Sequence, residues 1–320
     1  METVAFYSYK GGVGRSLLLA NAARFLASLG KGVVALDFDF EAPGLHYTLG
    51  GGQSYLGLPC HDSFLFPGGA VPYLIATVEG TATPPSFEEH LLSVPVPTDT
   101  KGWLRLMPAG PAPHQSYWAA LKELGDKLRL GDPSGRAFMA LLDLQARIAD
   151  ELKPDYLLID VRTGVTELGG LATTVLADTV VCLFAANQES LDGTLTVVEA
   201  LKSAQRLGNQ KQIRVVLVLS RATSGPIGDQ RFADGVKRLV GMAEGKQSRR
   251  QKEVVLFSLP HDDKLGASEK LVGGKNKASA FSPLYKAYSE LFQNLFPSSV
   301  RTRKASGRPG SGNRYPRGTD

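Results

Sequence analysis

Cysteine is nearly absent: the 320 residues hold two, Cys60 and Cys182. They lie far apart and form no Cys-x-x-Cys pair, which argues against a disulfide framework, an iron–sulfur site or a zinc site. The five histidines, His46, His61, His90, His114 and His261, show no ligand spacing and read as ordinary polar positions. No run of eighteen apolar residues occurs, so no transmembrane segment is expected, and the first strand-like run starts within three residues of Met1. The expectation is a cytoplasmic protein without a leader. Charge of one sign is also missing from most of the chain. Residues 297–320 carry six bases (Arg301, Arg303, Lys304, Arg308, Arg314, Arg317) against Asp320. That leaves 30 of the 36 bases facing 30 of the 31 acids, so the whole net charge of +5 sits in this tail.

Apolar residues make up 43% of the chain, enough for a substantial core. Seven short apolar runs recur: Thr3 to Tyr7, Val33 to Leu36, Trp103 to Met107, Tyr156 to Ile159, Thr179 to Phe184, Ile213 to Leu219 and Val254 to Phe257. Near-continuous apolar runs suit strands covered on both faces, hence a parallel sheet. Helical patterns fall at Ser16 to Leu29, Gly135 to Leu152, Leu191 to Leu207, Asp229 to Ala243 and Pro283 to Phe296. The alternation predicts a doubly wound α/β domain over 1–296, with a mostly parallel seven-stranded sheet, helices on both faces and a C-terminal edge open to mixed pairing. Residues 50–100, rich in Gly and Pro, read as an irregular insertion with short helices near Val71 to Val78 and Phe87 to Leu92. Residues 108–133 read as a second irregular connection. Residues 297–320 have the composition of a disordered basic tail.

The chemistry concentrates at KGGVGRS, residues 10–16. A strand leads into it and a helix leaves at Ser16. Freed backbone N–H groups and the positive end of the helix dipole then point at a bound phosphate, while Gly11, Gly12 and Gly14 let the backbone wrap around it. The bland alternative is a tight strand-to-helix turn with no ligand. Three acids weigh against it. Asp37 and Asp39 end the second strand and Asp160 ends the fourth, at the edge where an open α/β sheet carries its site. Any one of them alone would read as a cap or turn residue.

These motifs resemble the deviant Walker A P-loop ATPases of the ParA/MinD superfamily, and most of all the variant branch that carries arginine in a KGGVGR loop. Supporting matches are Glu41-Ala42-Pro43-Gly44-Leu45, Asp160-Val161-Arg162-Thr163-Gly164 and Asn187-Gln188-x-x-Leu191-x-Gly193. The resemblance covers residues 1–296. It implies ATP and Mg2+ as cofactors and a nucleotide-dependent homodimer. Lys10 would reach the partner's phosphates, Gly11 to Leu17 (through Val13, Gly14 and Arg15) would cradle its own, and Ser16, Asp37 and Asp160 would hold the metal. Asp39 would orient the attacking water, with Lys10 and Arg15 assisting catalysis. Pro260 would flank the base beside Arg221, although Ser220 stands where relatives often have the Asn that reads the base. Arg162, Thr163 and Gly164 match switch II, and Arg162 reads equally as a γ-phosphate sensor or a surface ion pair.

The departure is Arg15, in the place of the usual lysine. Guanidinium is wider than ammonium, planar and suited to bidentate contacts. Either Arg15 contacts the β and γ phosphates in a reshaped loop that hydrolyses slowly, or the site binds nucleotide and only senses it. The reading is therefore a Mg2+-dependent, slowly hydrolysing dimeric switch that regulates an unidentified effector in a bacterial regulatory or defence system. The alternatives are a non-hydrolysing adaptor and an ATPase positioned on DNA or membrane. The latter would use weak contacts of the tail to nucleic acid or acidic surfaces, or the basic loop 245–252, which reads more readily as a solvated loop. The apolar face of Pro283 to Phe296 is expected to pack on the sheet.

Overall fold

The computed structural model describes residues 1–50, 68–80, 86–96, 100–111, 115–127, 135–164, 170, 172–206, 213–222, 230–244, 255–262 and 283–299. Within them, eight strands form one sheet: β1 (Glu2–Ser8), β2 (Gly32–Phe38), β3 (Leu92–Val94), β4 (Trp103–Met107), β5 (Tyr156–Val161), β6 (Thr179–Ala185), β7 (Arg214–Ala222) and β8 (Leu256–Pro260). Their order is β3-β4-β2-β5-β1-β6-β7-β8. The helices are α1 (Arg15–Ser28), α2 (Leu45–Gly50), α3 (Ala70–Glu79), α4 (Gln115–Lys127), α5 (Arg136–Arg147), α6 (Gln188–Arg206), α7 (Gln230–Glu244) and α8 (Pro283–Leu295).

Side chains alternate along each strand, so one sequence builds two cores. Val4, Phe6, Val33, Ala35, Leu158 and Val181 face α1 and α8, where Leu284, Tyr288, Leu291, Phe292 and Leu295 are buried. Ala5, Tyr7, Leu36, Ile159, Cys182 and Leu217 face the helices of the other side. The apolar stripe of α8 is thus consumed by the sheet, as its pattern predicted.

All seven expected strands are present. The sheet has an eighth, β3, which pairs antiparallel with β4. The mixed edge is therefore the β3 edge, and the C-terminal strand β8 pairs parallel with β7. The 108–133 stretch also carries more order than expected, because α4 forms there and its Tyr117 donates a hydrogen bond to the Phe40 carbonyl at 2.7 Å. The expected second short helix is a single 3-10 turn, Phe87–Glu89, leading into β3. Residues 297–299 still belong to the packed fold, and Ser299 is buried against the Tyr156 hydroxyl at 2.7 Å. The rest of the tail, the basic loop 245–252 and much of the 50–100 insertion lie outside the described residues.

Candidate functional site

β1 sits at the point where the chain reverses its path through the sheet, flanked by β5 on one side and β6 on the other. The loop after it is where an open α/β sheet offers a ligand crevice. Gly12 and Gly14 adopt φ of 72° and 82°, a region closed to most side chains, and Gly14 forms the N-cap of α1. No side chain caps this helix and no acid lies in its first turn. Its leading N–H groups are left for an anion.

The loop is braced from three sides. Ser220 Oγ, at the end of β7, donates to the Val13 carbonyl at 2.5 Å. Tyr7 Oη donates to the Gly164 carbonyl at 3.0 Å, and Gly164 N–H to the Tyr9 carbonyl at 3.1 Å, tying the segment after β5 to the strand that carries the loop. The Tyr9 ring lies flat on the backbone of α6. A Cβ at Gly193 would fall 2.1 Å from it. This gives each member of the Asn187 motif a physical task. Asn187 caps α6 through the Ser190 N–H at 2.9 Å, Leu191 is buried, and Gly193 makes room for Tyr9.

The two cations of the loop then diverge. Lys10 stays at the surface, 2.5 Å from Glu189 in the first turn of α6. That hydrogen bond is the main cause of its raised pKa. Arg15 turns inward and is only 6% exposed. Its Nε donates to Asp160 Oδ1 at 2.5 Å and its Nη2 to Asp39 Oδ2 at 2.6 Å. Burial works against its charge, but Asp160 and Asp39 outweigh burial and raise its pKa above the ordinary arginine value.

The three strand-end acids divide their work. Asp37 and Asp160 are register partners on adjacent strands. Asp37 is fully buried, and its two oxygens accept the N–H groups of Asp39 and Leu45, both at 3.1 Å. Burial first, and the neighbouring Asp160 second, push its pKa up to about 8. Asp37 therefore organises the turn after β2, each of its oxygens accepting one backbone N–H. Asp160 is also raised by burial, against the pull of Arg15 and a hydrogen bond from Ser16.

Three buried polar atoms have no partners among the described residues: Ser8 Oγ at the end of β1, Arg15 Nη1 in the first turn of α1 and Asp160 Oδ2 near the end of β5. A buried group left unsatisfied costs about 1–3 kcal/mol, so three on the elements that border the loop suit a place that receives a polar ligand.

At the rim, Arg162 forms an ion pair with Glu41, linking the segments after β2 and β5. The surface ion pair expected of Arg162 is thus formed with Glu41 in the single chain. Arg221 has φ of 55° at a register shift between β7 and β8, and Ala222 pairs with Pro260, so Arg221 and Pro260 share one rim. Thr163 and Leu17 lie half-buried nearby in sequence to Gly164 and Ser16. Sequence reasoning named the loop and the acids but missed Ser220 as a brace, Glu189 as the partner of Lys10, and Tyr9 as the reason for Gly193. Among the described residues no cluster of three or more His, Cys, Asp or Glu could hold a metal by itself, and no helix is long and apolar enough to cross a membrane.

The profile of the CobQ/CobB/MinD/ParA nucleotide binding domain matches residues 4–270. No curated protein matches the sequence. Among solved structures, the fold is similar to the cell division ATPase MinD of Pyrococcus furiosus (TM-score 0.59, 20% identity, 93% of this chain and 99% of that one). It is similar to an ATP complex of a McdA variant from Cyanothece (TM-score 0.59, 17% identity, 92% and 96%). It is also similar to the septum site-determining protein MinD of Pyrococcus horikoshii with Mg-ADP (TM-score 0.55, 18% identity, 96% and 97%).

Proposed function

The chain belongs to the CobQ/CobB/MinD/ParA nucleotide-binding domain family, and from that membership we propose that it is a cytoplasmic ATP-binding switch. ATP would join two copies, slow Mg2+-dependent hydrolysis would release them, and the cycle would control a separate effector in a bacterial regulatory or defence system. The observation that carries this reading is the uncapped start of α1 together with the unpartnered Arg15 Nη1, Ser8 Oγ and Asp160 Oδ2 on the elements that border the loop. Donors aimed at an anion and an unused carboxylate oxygen suit a phosphate chain and its cation together.

The residues fit the metal. Ser16 and Asp160 would hold Mg2+, which supplies charge neutralisation of the phosphates when bound. Gly11 to Leu17 would cradle the nucleotide, Lys10 would release Glu189 to reach the partner's phosphates, and Arg221 and Pro260 would flank the base. Asp39 would orient water only once it leaves Arg15. That last contact favours a second reading, a non-hydrolysing adaptor in which nucleotide locks a dimer that recruits a partner.

Calorimetric titration with ATP and Mg2+, followed by a size measurement, tests the proposal. Binding with a doubling of mass is expected, and absence of binding overturns it. Phosphate release that Asp39→Ala abolishes separates the enzyme from the adaptor.

A further inference from the structure

We infer, building on the nucleotide-binding reading above, that Arg15 acts as a resident cation, so that this site holds a nucleoside triphosphate without a divalent ion and needs Mg2+ only for turnover. A triphosphate brought to the ends of β2 and β5 meets Asp39 and Asp160, and two carboxylates repel it unless a positive charge stands between. A lysine at the loop's last basic position is a compact point charge on a flexible stem, with a single nitrogen rather than a fork to span two acids. Arginine is a planar fork with five N–H donors.

Here the fork already spans both acids. Nε holds Asp160 at 2.5 Å and Nη2 holds Asp39 at 2.6 Å, on strands separated in sequence by more than a hundred residues. The third nitrogen, Nη1, is buried at the start of α1 and has no partner. Two corners of the guanidinium therefore neutralise the acids while the third is left for an anionic oxygen of the ligand. In this inference Nη1 takes a phosphate oxygen while Nε and Nη2 keep both acids. The same grip occupies Asp39 Oδ2, and in this inference turnover waits until that oxygen is released.

The opposite arrangement is equally definite. If phosphate pulled Arg15 off both acids, the bared carboxylates would demand a divalent ion, and binding would need Mg2+ as strongly as it does in a lysine loop. Calorimetry with the non-hydrolysable analogue adenylyl-imidodiphosphate, on the full chain in excess Mg2+ and in excess EDTA, separates the two. Removing the metal is expected to weaken wild-type binding by less than about 3-fold, and to weaken binding to Arg15→Lys by more than about 10-fold, a difference that calorimetry resolves. Circular dichroism checks that the variant is folded. A tenfold or greater loss in the wild type on adding EDTA overturns the inference while leaving nucleotide binding intact. Equal insensitivity of Arg15→Lys overturns the assignment to Arg15. No binding in either buffer removes the nucleotide reading itself. Should Arg15→Lys not fold, the wild-type comparison decides alone.

Discussion

The two basic residues that bound the glycine loop stand in opposite surroundings. Lys10 lies at the surface beside one exposed acid, on a backbone set by the Tyr9 ring against α6. Arg15, one turn of loop away, is enclosed by the ends of β2 and β5 and grips an acid on each. An exposed ion pair is weakly worth keeping and easily exchanged for another partner. A buried one is costly to break, because the acid left behind cannot recover its water. The loop thus pairs a mobile charge, free to change partners, with a fixed one that holds the site's shape.

The largest expected effect comes from deleting the fixed charge. Arg15→Ala leaves Asp39 and Asp160 buried without their counter-ion and should destabilise the chain by about 3–5 kcal/mol in denaturant unfolding. Next comes the support of the mobile charge. Gly193→Ala places a methyl inside the Tyr9 ring and should cost about 1–3 kcal/mol, with nucleotide-dependent dimerisation weakened as Lys10 loses its position.

A third test concerns the acid behind the fixed charge. Asp37 keeps its proton in the folded chain up to about pH 8, far above its value in the unfolded chain. The folded state therefore binds the extra proton between these values, and stability falls as pH rises through the neutral range. The slope is at most about 1.4 kcal/mol per pH unit for one proton. Thermal melts from pH 5 to 9 should show this decline, and Asp37→Asn should flatten it. The smallest stability effect belongs to the mobile charge itself. Lys10→Ala should leave the melting temperature unchanged while abolishing ATP-dependent dimerisation, read by light scattering.

The interior of the sheet was legible because a strand covered on both faces must be apolar at nearly every position, as Val33 to Leu36 and Tyr156 to Ile159 are. β3 escaped notice because three residues with an exposed Ser93 between two apolar ones carry almost no pattern. Its direction, though, follows from chain length. Residues 95–102 are too few for a crossover, so β3 and β4 can only run antiparallel. α4 buries Tyr117 and Leu124 but little between them, which leaves a faint stripe between flanking glycines and prolines.

At the site, sequence order alone showed a phosphate loop and three acids. It could not tell the acids apart, because Asp37 and Asp39 look alike until the turn after β2 is built, where Asp37 accepts the N–H groups of Asp39 and Leu45 and Asp39 accepts Arg15. Nor could it pair Arg15 with Asp160, 145 positions away. Such contacts arise from strand order, which no local pattern encodes.

The short contact between Tyr156 and Ser299 gives the molecule a polarity. Tyr156 begins β5, and Asp160 of the same strand reaches the phosphate loop. Arg214, which begins β7, likewise holds the carbonyls of Asn294 and Leu295 at the close of α8. The described chain therefore ends at one end of the sheet, while the loop and the strand-end acids gather at the other, about 13 Å apart by the rise from Tyr156 to Asp160. Two copies drawn together at their loop ends would carry Ser299 of each at the far end of its own sheet, away from the shared face.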